Sequence, residues 1–186
     1  MNHSAEQHYL LYSETDLEQV LAAMARQCLA LFSPATPPLL VGMLRRGEPL
    51  AQRLRQQLQH HWPQAALPVF GLTLKRYADD LHLLHPETAL TDNPALLTCD
   101  LANTPVLLVD DVLYQGHSLL RAVSWLAQHG AGCVRTAVLV DRCIARLPIH
   151  ADVVGLRLQV PDNDVIECRV PPYEPRFQIE IWHRPD

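Results

Sequence analysis

Residues 106–118 read VLLVDDVLYQGHS, and this stretch decides the fold. Its four leading apolar residues predict a strand that is buried on both faces of a parallel sheet. Asp110 and Asp111 end the apolar run, and a turn that contains Gly116 then enters a predicted helix from His117 to His129. A buried strand, a turn and a helix form the repeating unit of α/β proteins, whose ligands bind at the carboxyl ends of the strands. The stretch therefore predicts both an α/β fold and the place of its site.

The same alternation of strand and helix continues on both sides of this stretch. Residues 39–43 read LLVGM and predict a buried strand, which a helix from about Glu48 to His61 follows. Upstream, Ser13 is a candidate N-cap of a helix whose apolar residues recur at helical spacing until Pro34. This alternation predicts a parallel sheet with right-handed crossovers. Further strands are predicted at residues 68–74, 133–140, 152–156, 165–170 and 177–182.

The composition is that of an ordinary globular protein. The chain has 186 residues, of which 48% are apolar and 19% charged, and no linker or repeat divides it. We therefore expect one domain over residues 1–186. The N-terminal residues lack the pattern of a signal or transit peptide, and no apolar run approaches the roughly 20 residues of a membrane helix, so we expect a cytoplasmic protein. The formal net charge of −5 gives no general attraction for nucleic acid.

Residues 76–104 form the longest irregular stretch of the chain. They carry polar residues and two prolines and show little periodicity. Long loops in compact domains are often lids or binding segments. We therefore expect a flexible loop over about residues 76–104.

The acidic pair and the turn after it together call for a ligand. Two adjacent carboxylates at the end of a buried strand repel each other unless a cation or hydroxyl donors meet them. The turn from Tyr114 to Ser118 places backbone N–H groups, a hydroxyl and a helix N-terminus together, which is an anion site. A ligand that carries both hydroxyl groups and a phosphate would satisfy both halves. The alternative is an acidic helix cap without a ligand.

This stretch resembles the phosphoribosyl-pyrophosphate (PRPP) signature of type I phosphoribosyltransferases. In that family the two acids hold the ribose hydroxyls, so the resemblance assigns Asp110 and Asp111 to the ribose. The turn of the family cradles the 5′-phosphate, and the corresponding residues here are Tyr114, Gln115, Gly116, His117 and Ser118. The family usually has Thr and a basic residue where this chain has Gln115 and His117, which implies weaker phosphate binding. The implied fold is a mainly parallel central sheet with helices on both faces, plus a small additional subdomain, the hood.

The resemblance is closest to the PyrR family of pyrimidine-operon attenuators and uracil phosphoribosyltransferases. It covers residues 41–54 (VGMLRRGEPLAQRL), residues 73–81 and residues 137–155. The turn after the first parallel strand binds pyrophosphate in this family, and Arg45, Arg46 and Gly47 occupy that turn here. Arg45 stands where the family often has a hydroxyl residue. The alternative for the two arginines is a solvated charge pair.

The family also points to a base and to a cofactor. Purine enzymes commonly have an acid at the position of Tyr114, and tyrosine, with an ordinary pKa near 10, is a poor base, so a pyrimidine is favoured. Asp141 and Arg142 would lie near the base, although a simple salt-bridged pair is nearly as good an interpretation. Arg76, in the flexible loop, would close over pyrophosphate as a catalytic residue together with Asp110 and Asp111. The implied cofactor is Mg²⁺, held by the two acids directly or through water.

The resemblance thus implies an enzyme that transfers a 5-phosphoribosyl group from PRPP to a nucleobase, with uracil as the first candidate, and releases pyrophosphate. A homo-oligomer, either a dimer or a tetramer, is also implied. Two alternatives remain open at this point. One is an RNA-binding regulator of pyrimidine genes, which the acidic charge and the single basic residue of residues 22–33, Arg26, disfavour. The other is transfer to another base, hypoxanthine or guanine.

Overall fold

The computed structural model describes residues 7–73, 93–161 and 164–183. Twelve elements occur in these ranges. In chain order they are β1 (Gln7–Tyr12), α1 (Glu14–Leu31), β2 (Leu39–Met43), α2 (Gly47–His61), β3 (Val69–Leu72), α3 (Pro94–Leu97), β4 (Val106–Leu113), α4 (His117–Gln128), β5 (Val134–Asp141), β6 (Val153–Arg157), β7 (Asp164–Arg169) and β8 (Gln178–His183).

Five strands form the central sheet in the order β3-β2-β4-β5-β6, and every neighbouring pair is parallel. The expectation of an α/β fold with a parallel sheet is confirmed. In the middle of the sheet β2 pairs with β4 from Leu39 opposite Val106 to Gly42 opposite Val109. β4 runs on beyond the end of β2 and stays paired with β5 as far as Leu113, opposite Asp141. The central strand therefore projects past one of its neighbours.

Helices cover both faces of this sheet, as expected. Successive strand residues point to opposite faces, so Leu40 and Leu107 pack with α1 and α2, whereas Leu39 and Leu108 pack with α4. Both sets are fully or almost fully buried. Strands buried on both faces explain why the sequence shows continuous apolar runs rather than alternation.

The hood is a separate three-stranded antiparallel sheet in the order β1-β8-β7. Apolar residues of its inner face, among them Ile166, Phe177 and Ile179, are buried in the same cluster as α1 and α2. The strands β7 and β8 agree with the predictions within one residue at each end, but β1 was not predicted. The hood thus joins the two ends of the described chain and rests on the side of the core that carries the first two helices.

Two predictions need correction. The apolar strand predicted to end at Val109 continues through both acids to Leu113, because β5 supplies backbone partners for those residues. The described part of the predicted loop, residues 93–104, contains the short helix α3 and two buried leucines, Leu96 and Leu101. Asn93 caps this helix with hydrogen bonds from the N–H groups of residues 95 and 96. Residues 76–92 of the predicted loop, including Arg76, lie outside the described residues.

No helix in the described ranges combines the length and the apolar character needed to cross a lipid bilayer.

Candidate active site

The acidic pair lies where β4 projects past β2. Asp110 pairs with Val138 of β5, but the pairing of β4 with β2 stops at Val109, opposite Gly42. The Oδ1 atom of Asp110 accepts the N–H of Asp111 at 2.9 Å, and the Oδ1 atom of Asp111 accepts the N–H of Val112 at 3.1 Å. The Asp111 side chain is only 20% exposed. The projecting strand therefore presents two carboxylates at a partly buried edge.

Burial raises the pKa of the Asp111 carboxyl, and the Asp110 side chain, the Arg46 guanidinium and backbone N–H groups offset only part of this effect. A carboxylate in such a place gains more from a hydroxyl donor or a cation than an exposed one does, because nearby water does not solvate it fully. This geometry favours a polar ligand over an acidic helix cap without one.

Arg46 lies among three carboxylates. Its Nη2 and Nε atoms donate to Glu174 Oε1 at 2.7 and 3.0 Å, and Nη2 lies 3.3 Å from Glu167 Oε1. Its Nη1 atom lies 3.8 Å from Asp111 Oδ2. The interpretation of Arg45 and Arg46 as a solvated charge pair is therefore wrong for Arg46.

Sequence reasoning missed Glu167 and Glu174. They come from β7 and from the segment after it, 121 and 128 residues from Arg46 along the chain, where no motif was found. Burial disfavours the charged form of Glu174, but hydrogen bonds from Arg46 and from the Val170 N–H outweigh it and lower the pKa of Glu174. No local signal in the sequence marks this contact, because only the packing of the hood creates it.

The turn of Arg45, Arg46 and Gly47 lies directly against β4. A Cβ atom on Gly47 would come within 2.5 Å of the Val109 carbonyl oxygen, so only glycine allows this approach. The exposed Arg45 places its guanidinium carbon 5.6 Å from the centre of the Tyr173 ring. The structure thus brings this turn to the same edge of the sheet as the acidic pair, as predicted.

A cleft joins Asp110 to the turn before α4. Its lining comprises Asp110, residues 112–119 and Val138. Gly116 is the N-cap of α4 with φ of 92°, a left-handed conformation that favours glycine, and a Cβ atom there would lie 2.6 Å from the Ile149 side chain. The first N–H groups of a helix have no partners within the helix and attract anions. All five residues predicted for the phosphate loop, Tyr114 to Ser118, therefore line one cleft with Asp110.

Asp141 and Arg142 follow at the end of the neighbouring strand. Within the described ranges they form no ion pair with each other, and Asp141 Oδ1 accepts the N–H of Cys143 at 2.8 Å. The Arg142 guanidinium carbon instead lies 5.1 Å from the centre of the Tyr114 ring. Arg142 is only 6% exposed, and its Nε atom has no hydrogen-bond partner among the described residues. A buried guanidinium with an unused donor beside the cleft calls for an acceptor.

The donor set fits magnesium held together with a substrate. Within the described ranges no group of three or more His, Cys, Asp or Glu side chains could hold a metal ion. Asp110 nevertheless offers carboxylate oxygens in the cleft, and the carboxylate of Asp111 follows it directly on β4. Mg²⁺ prefers oxygen ligands and commonly binds through one or two carboxylates, several waters and substrate phosphates. Two adjacent carboxylates beside a cleft that the N-terminus of α4 borders meet that requirement.

Comparison with known protein sequences agrees with the resemblance to phosphoribosyltransferases that the sequence motifs indicate. Residues 11–175 match the family described as "Phosphoribosyl transferase domain". A protein of Thermosynechococcus vestitus named "Bifunctional protein PyrR" is 31% identical over 174 residues, which are 92% of this chain and 93% of that protein. A protein of the same name from Actinobacillus pleuropneumoniae is 28% identical over 95% of this chain and 98% of its own length. Another, from Herpetosiphon aurantiacus, is 32% identical over 86% of this chain and 88% of its own length.

Solved structures share the fold at lower identity. A hypoxanthine phosphoribosyltransferase of Trypanosoma cruzi is 15% identical and superposes with a TM-score of 0.74 over 100% of this chain and 95% of that one. An HGPRT-ase of Leishmania tarentolae, solved with GMP, is 12% identical and gives a TM-score of 0.68 over 96% and 98% of the two chains. These similarities establish a shared architecture.

Proposed function

We propose, since this chain belongs to the PyrR group of the phosphoribosyltransferase family, that it transfers the 5-phosphoribosyl group of PRPP to uracil and releases pyrophosphate. The observation that carries the proposal is the single cleft that unites Asp110 with the glycine turn at the N-terminus of α4. Such a cleft can hold hydroxyl groups at one end and a phosphate at the other. PRPP carries both, since its ribose bears two hydroxyl groups on the ring and a phosphate on C5.

In the proposed reaction the bond from C1 of the ribose to pyrophosphate breaks, and pyrophosphate leaves with the electron pair. A ring nitrogen of the base forms the new bond to C1 and gives up its proton to solvent. Positive charge develops on the ribose in the transition state while negative charge builds up on pyrophosphate. Groups fixed in advance near these charges lower the barrier, which is commonly the largest single contribution to catalysis.

The residues of this chain divide that work by position. Asp110 and Asp111 accept hydrogen bonds from the ribose hydroxyls and stabilise the cationic sugar. The turn from Tyr114 to Ser118 binds the 5′-phosphate through its backbone N–H groups, and the turn of residues 45–47 faces the pyrophosphate. Holding both ends of PRPP fixes the direction from which the base attacks C1.

Magnesium is the proposed cofactor, and Asp110 and Asp111 would hold it directly or through water. When bound with PRPP it offsets the charge of the pyrophosphate leaving group. Arg76, which lies outside the described residues, is proposed to act on the pyrophosphate as a catalytic residue, and exclusion of water from the cleft would prevent hydrolysis of PRPP.

The base is proposed to bind beside Tyr114 and Arg142. The buried Arg142 has an unused Nε–H donor, which suits a carbonyl oxygen of the base, and uracil carries two such oxygens. Tyrosine beside the base is a poor proton acceptor at neutral pH, which favours a pyrimidine over a purine. We also propose assembly into a dimer or tetramer, which sedimentation of the purified protein tests.

The test is a base panel with PRPP and Mg²⁺, in which uracil, cytosine, hypoxanthine and guanine compete as acceptors and chromatography identifies the nucleotide formed. We expect UMP, with a kcat/KM for uracil at least roughly tenfold above the other bases, since a missing hydrogen bond in a buried site costs at least that factor. Arg142→Gln should raise the KM for uracil, whereas Arg146→Gln, at a nearby exposed arginine, should not. Preferential formation of IMP or GMP would refute uracil as the substrate, and no nucleotide from any base would refute the reaction.

RNA binding is the weaker candidate. On α1 the only basic residue is Arg26. Arg53 of the neighbouring helix is paired with Glu18 at 2.7 Å and with Glu14 at 3.5 Å. Each phosphate of an RNA needs a cation, so an acidic helix with one arginine offers little affinity. A gel shift with pyrimidine-operon leader RNA, in the presence and absence of UMP, tests this alternative; a shift at physiological salt would support it.

A further inference from the structure

The two adjacent arginines of the turn after β2 lie in different surroundings. Arg46 directs Nε and Nη2 to Glu174, and Nη2 and Nη1 also face Glu167 and Asp111. Arg45 has no carboxylate partner among the described residues and contacts the Tyr173 ring instead. Neighbouring residues of one turn therefore differ in whether their hydrogen-bond donors are already engaged.

Glu174 is itself held in place by the hood. Its Oε2 atom accepts the Val170 N–H at 2.8 Å, while Oε1 accepts from Arg46. Both oxygens thus have partners, one in the hood and one in the turn. A carboxylate fixed in this way restricts the guanidinium it binds, because hydrogen bonds between charged groups are strong and directional.

The charge around Arg46 does not suit a diphosphate. Three carboxylates lie within 3.8 Å of its guanidinium nitrogens, and moving the group to pyrophosphate would leave Glu174 without its charged partner at a site that is only 15% exposed. Breaking a partly buried charge pair costs more than the pair contributes, because the remaining charge is poorly solvated.

The surroundings of Arg45 have the opposite character. A guanidinium over an aromatic ring, at 5.6 Å from its centre, is oriented by the ring but uses none of its five N–H donors on it. Those donors match phosphate oxygens in a two-pronged arrangement. Tyr173 and Glu174 are adjacent, so one segment of the hood touches both arginines.

We propose that the two arginines have separate tasks: Arg45 binds the pyrophosphate group of PRPP, and Arg46, clamped by Glu174, is a positioning residue that joins the turn to the hood and to Asp111. The assignment rests on the proposed function, since it names the group that receives pyrophosphate in that same site. It departs from the expectation that both arginines bind pyrophosphate.

The test measures Mg-pyrophosphate binding by calorimetry, the steady-state constants with PRPP and uracil, and the free energy of unfolding. The variants are Arg45→Gln, Arg46→Gln, Glu174→Gln and the two double variants of Glu174→Gln with each arginine. Glu180→Gln is the matched control, because Glu180 pairs with Arg169 in the hood at 2.7 Å and, within the described part of the chain, forms no hydrogen bond or ion pair with Arg45 or Arg46.

Arg45→Gln should raise the Kd of pyrophosphate and the KM of PRPP roughly tenfold or more, which is the loss expected for charge-assisted hydrogen bonds, and leave unfolding unchanged. Arg46→Gln and Glu174→Gln should lower kcat and destabilise the fold by similar amounts, with less effect on pyrophosphate binding. The double variant of Arg46→Gln and Glu174→Gln should lose no more stability or kcat than either single variant does. The losses caused by Arg45→Gln and Glu174→Gln should instead add up in their double variant. Glu180→Gln should leave the kinetic constants as they are.

Two results would overturn the assignment. One is a larger loss of pyrophosphate affinity in Arg46→Gln than in Arg45→Gln, with both variants folded. The other is tighter pyrophosphate binding in Glu174→Gln, which would mean that Glu174 competes with the ligand for Arg46. If the unaltered protein binds neither PRPP nor pyrophosphate, the proposed function and the task of Arg45 both fall, and the unfolding measurements still decide whether Arg46 and Glu174 act as a pair.

Discussion

At the scale of single residues, Gly116 shows how one backbone conformation shapes the cleft. Its φ of 92° is left-handed at the start of α4, in the lining that it shares with Asp110, and the Ile149 side chain lies 2.6 Å from the position of a Cβ atom there. Gly130 has almost the same φ, 89°, but nothing lies within 4 Å of the position of its Cβ. The two glycines therefore share a left-handed backbone conformation and differ in their surroundings.

This difference makes a matched pair of variants. Gly130→Ala should lower the free energy of unfolding by about 1 to 2 kcal/mol, because an L side chain is strained in the left-handed region. Gly116→Ala should lose more than this, since its methyl group meets Ile149, and should also weaken PRPP binding. Gly130→Ala should bind PRPP like the unaltered protein. Chemical unfolding and PRPP titration of the same samples check both statements, and equal PRPP affinity in all three proteins would contradict the role given to this turn.

At the scale of elements, α1 illustrates a boundary that local chemistry determines. The Ser13 side chain accepts the Asp16 N–H at 3.4 Å, and Asp16 accepts the Ser13 N–H at 2.9 Å, which forms the predicted capping box. Hydrogen bonds from the Ser13 side chain and backbone lower the pKa of Asp16. The helix carries Leu17, Leu21 and Met24 into the core, so its start also sets which face is buried.

Ser13→Ala should lower the free energy of unfolding by about 1 kcal/mol, the usual cost of a lost cap, and lower the unfolding midpoint by about 2 to 4 °C. The pKa of Asp16 should rise toward its ordinary value. Because a lowered pKa contributes stability that is lost as pH falls, the gap between the two proteins should narrow in acid. Ser124→Ala, at an exposed position in α4, is the control and should not lower the midpoint, because alanine favours the helix more than serine does. Thermal scans at several pH values check this, and an unchanged midpoint for Ser13→Ala would contradict the cap.

Other elements show where sequence reasoning stops. The buried strands β2, β4 and β5 were predictable because an apolar run reports burial on both faces. The extension of β4 through the two acids was not, since its partner strand β5 lies more than 20 residues further along the chain. The short helix α3 was not predicted, because four residues are too few to show a helical periodicity. Asn93 and Pro94 are nevertheless a recognisable helix start.

At the scale of the whole molecule, the site is assembled from both the core and the hood. The positions of Asp110 and Gly116 were predictable, because both belong to a local strand and turn pattern. That they line the same cleft was predictable for the same reason. Glu167 and Glu174 were not, because β7 and the segment after it meet Arg46 only through the packing of the hood on α1 and α2. β1 was missed for the same reason, since its partner, β8, lies at the other end of the chain. Contacts between segments that are far apart along the chain leave no local pattern in the sequence, so sequence reasoning does not find them.

The most direct test of the central claim is a calorimetric titration of PRPP with Mg²⁺ into the unaltered protein, Asp110→Asn and Asp111→Asn. The substitutions keep the size of the side chain, remove its charge and replace an acceptor by a donor. We predict saturable binding to the unaltered protein and affinity lower by roughly 10 to 150-fold in each variant, which is the range for a lost charge-assisted hydrogen bond. Both variants should remain folded. Equal PRPP affinity in all three proteins, or no binding to any of them, would contradict the assignment of this cleft to PRPP.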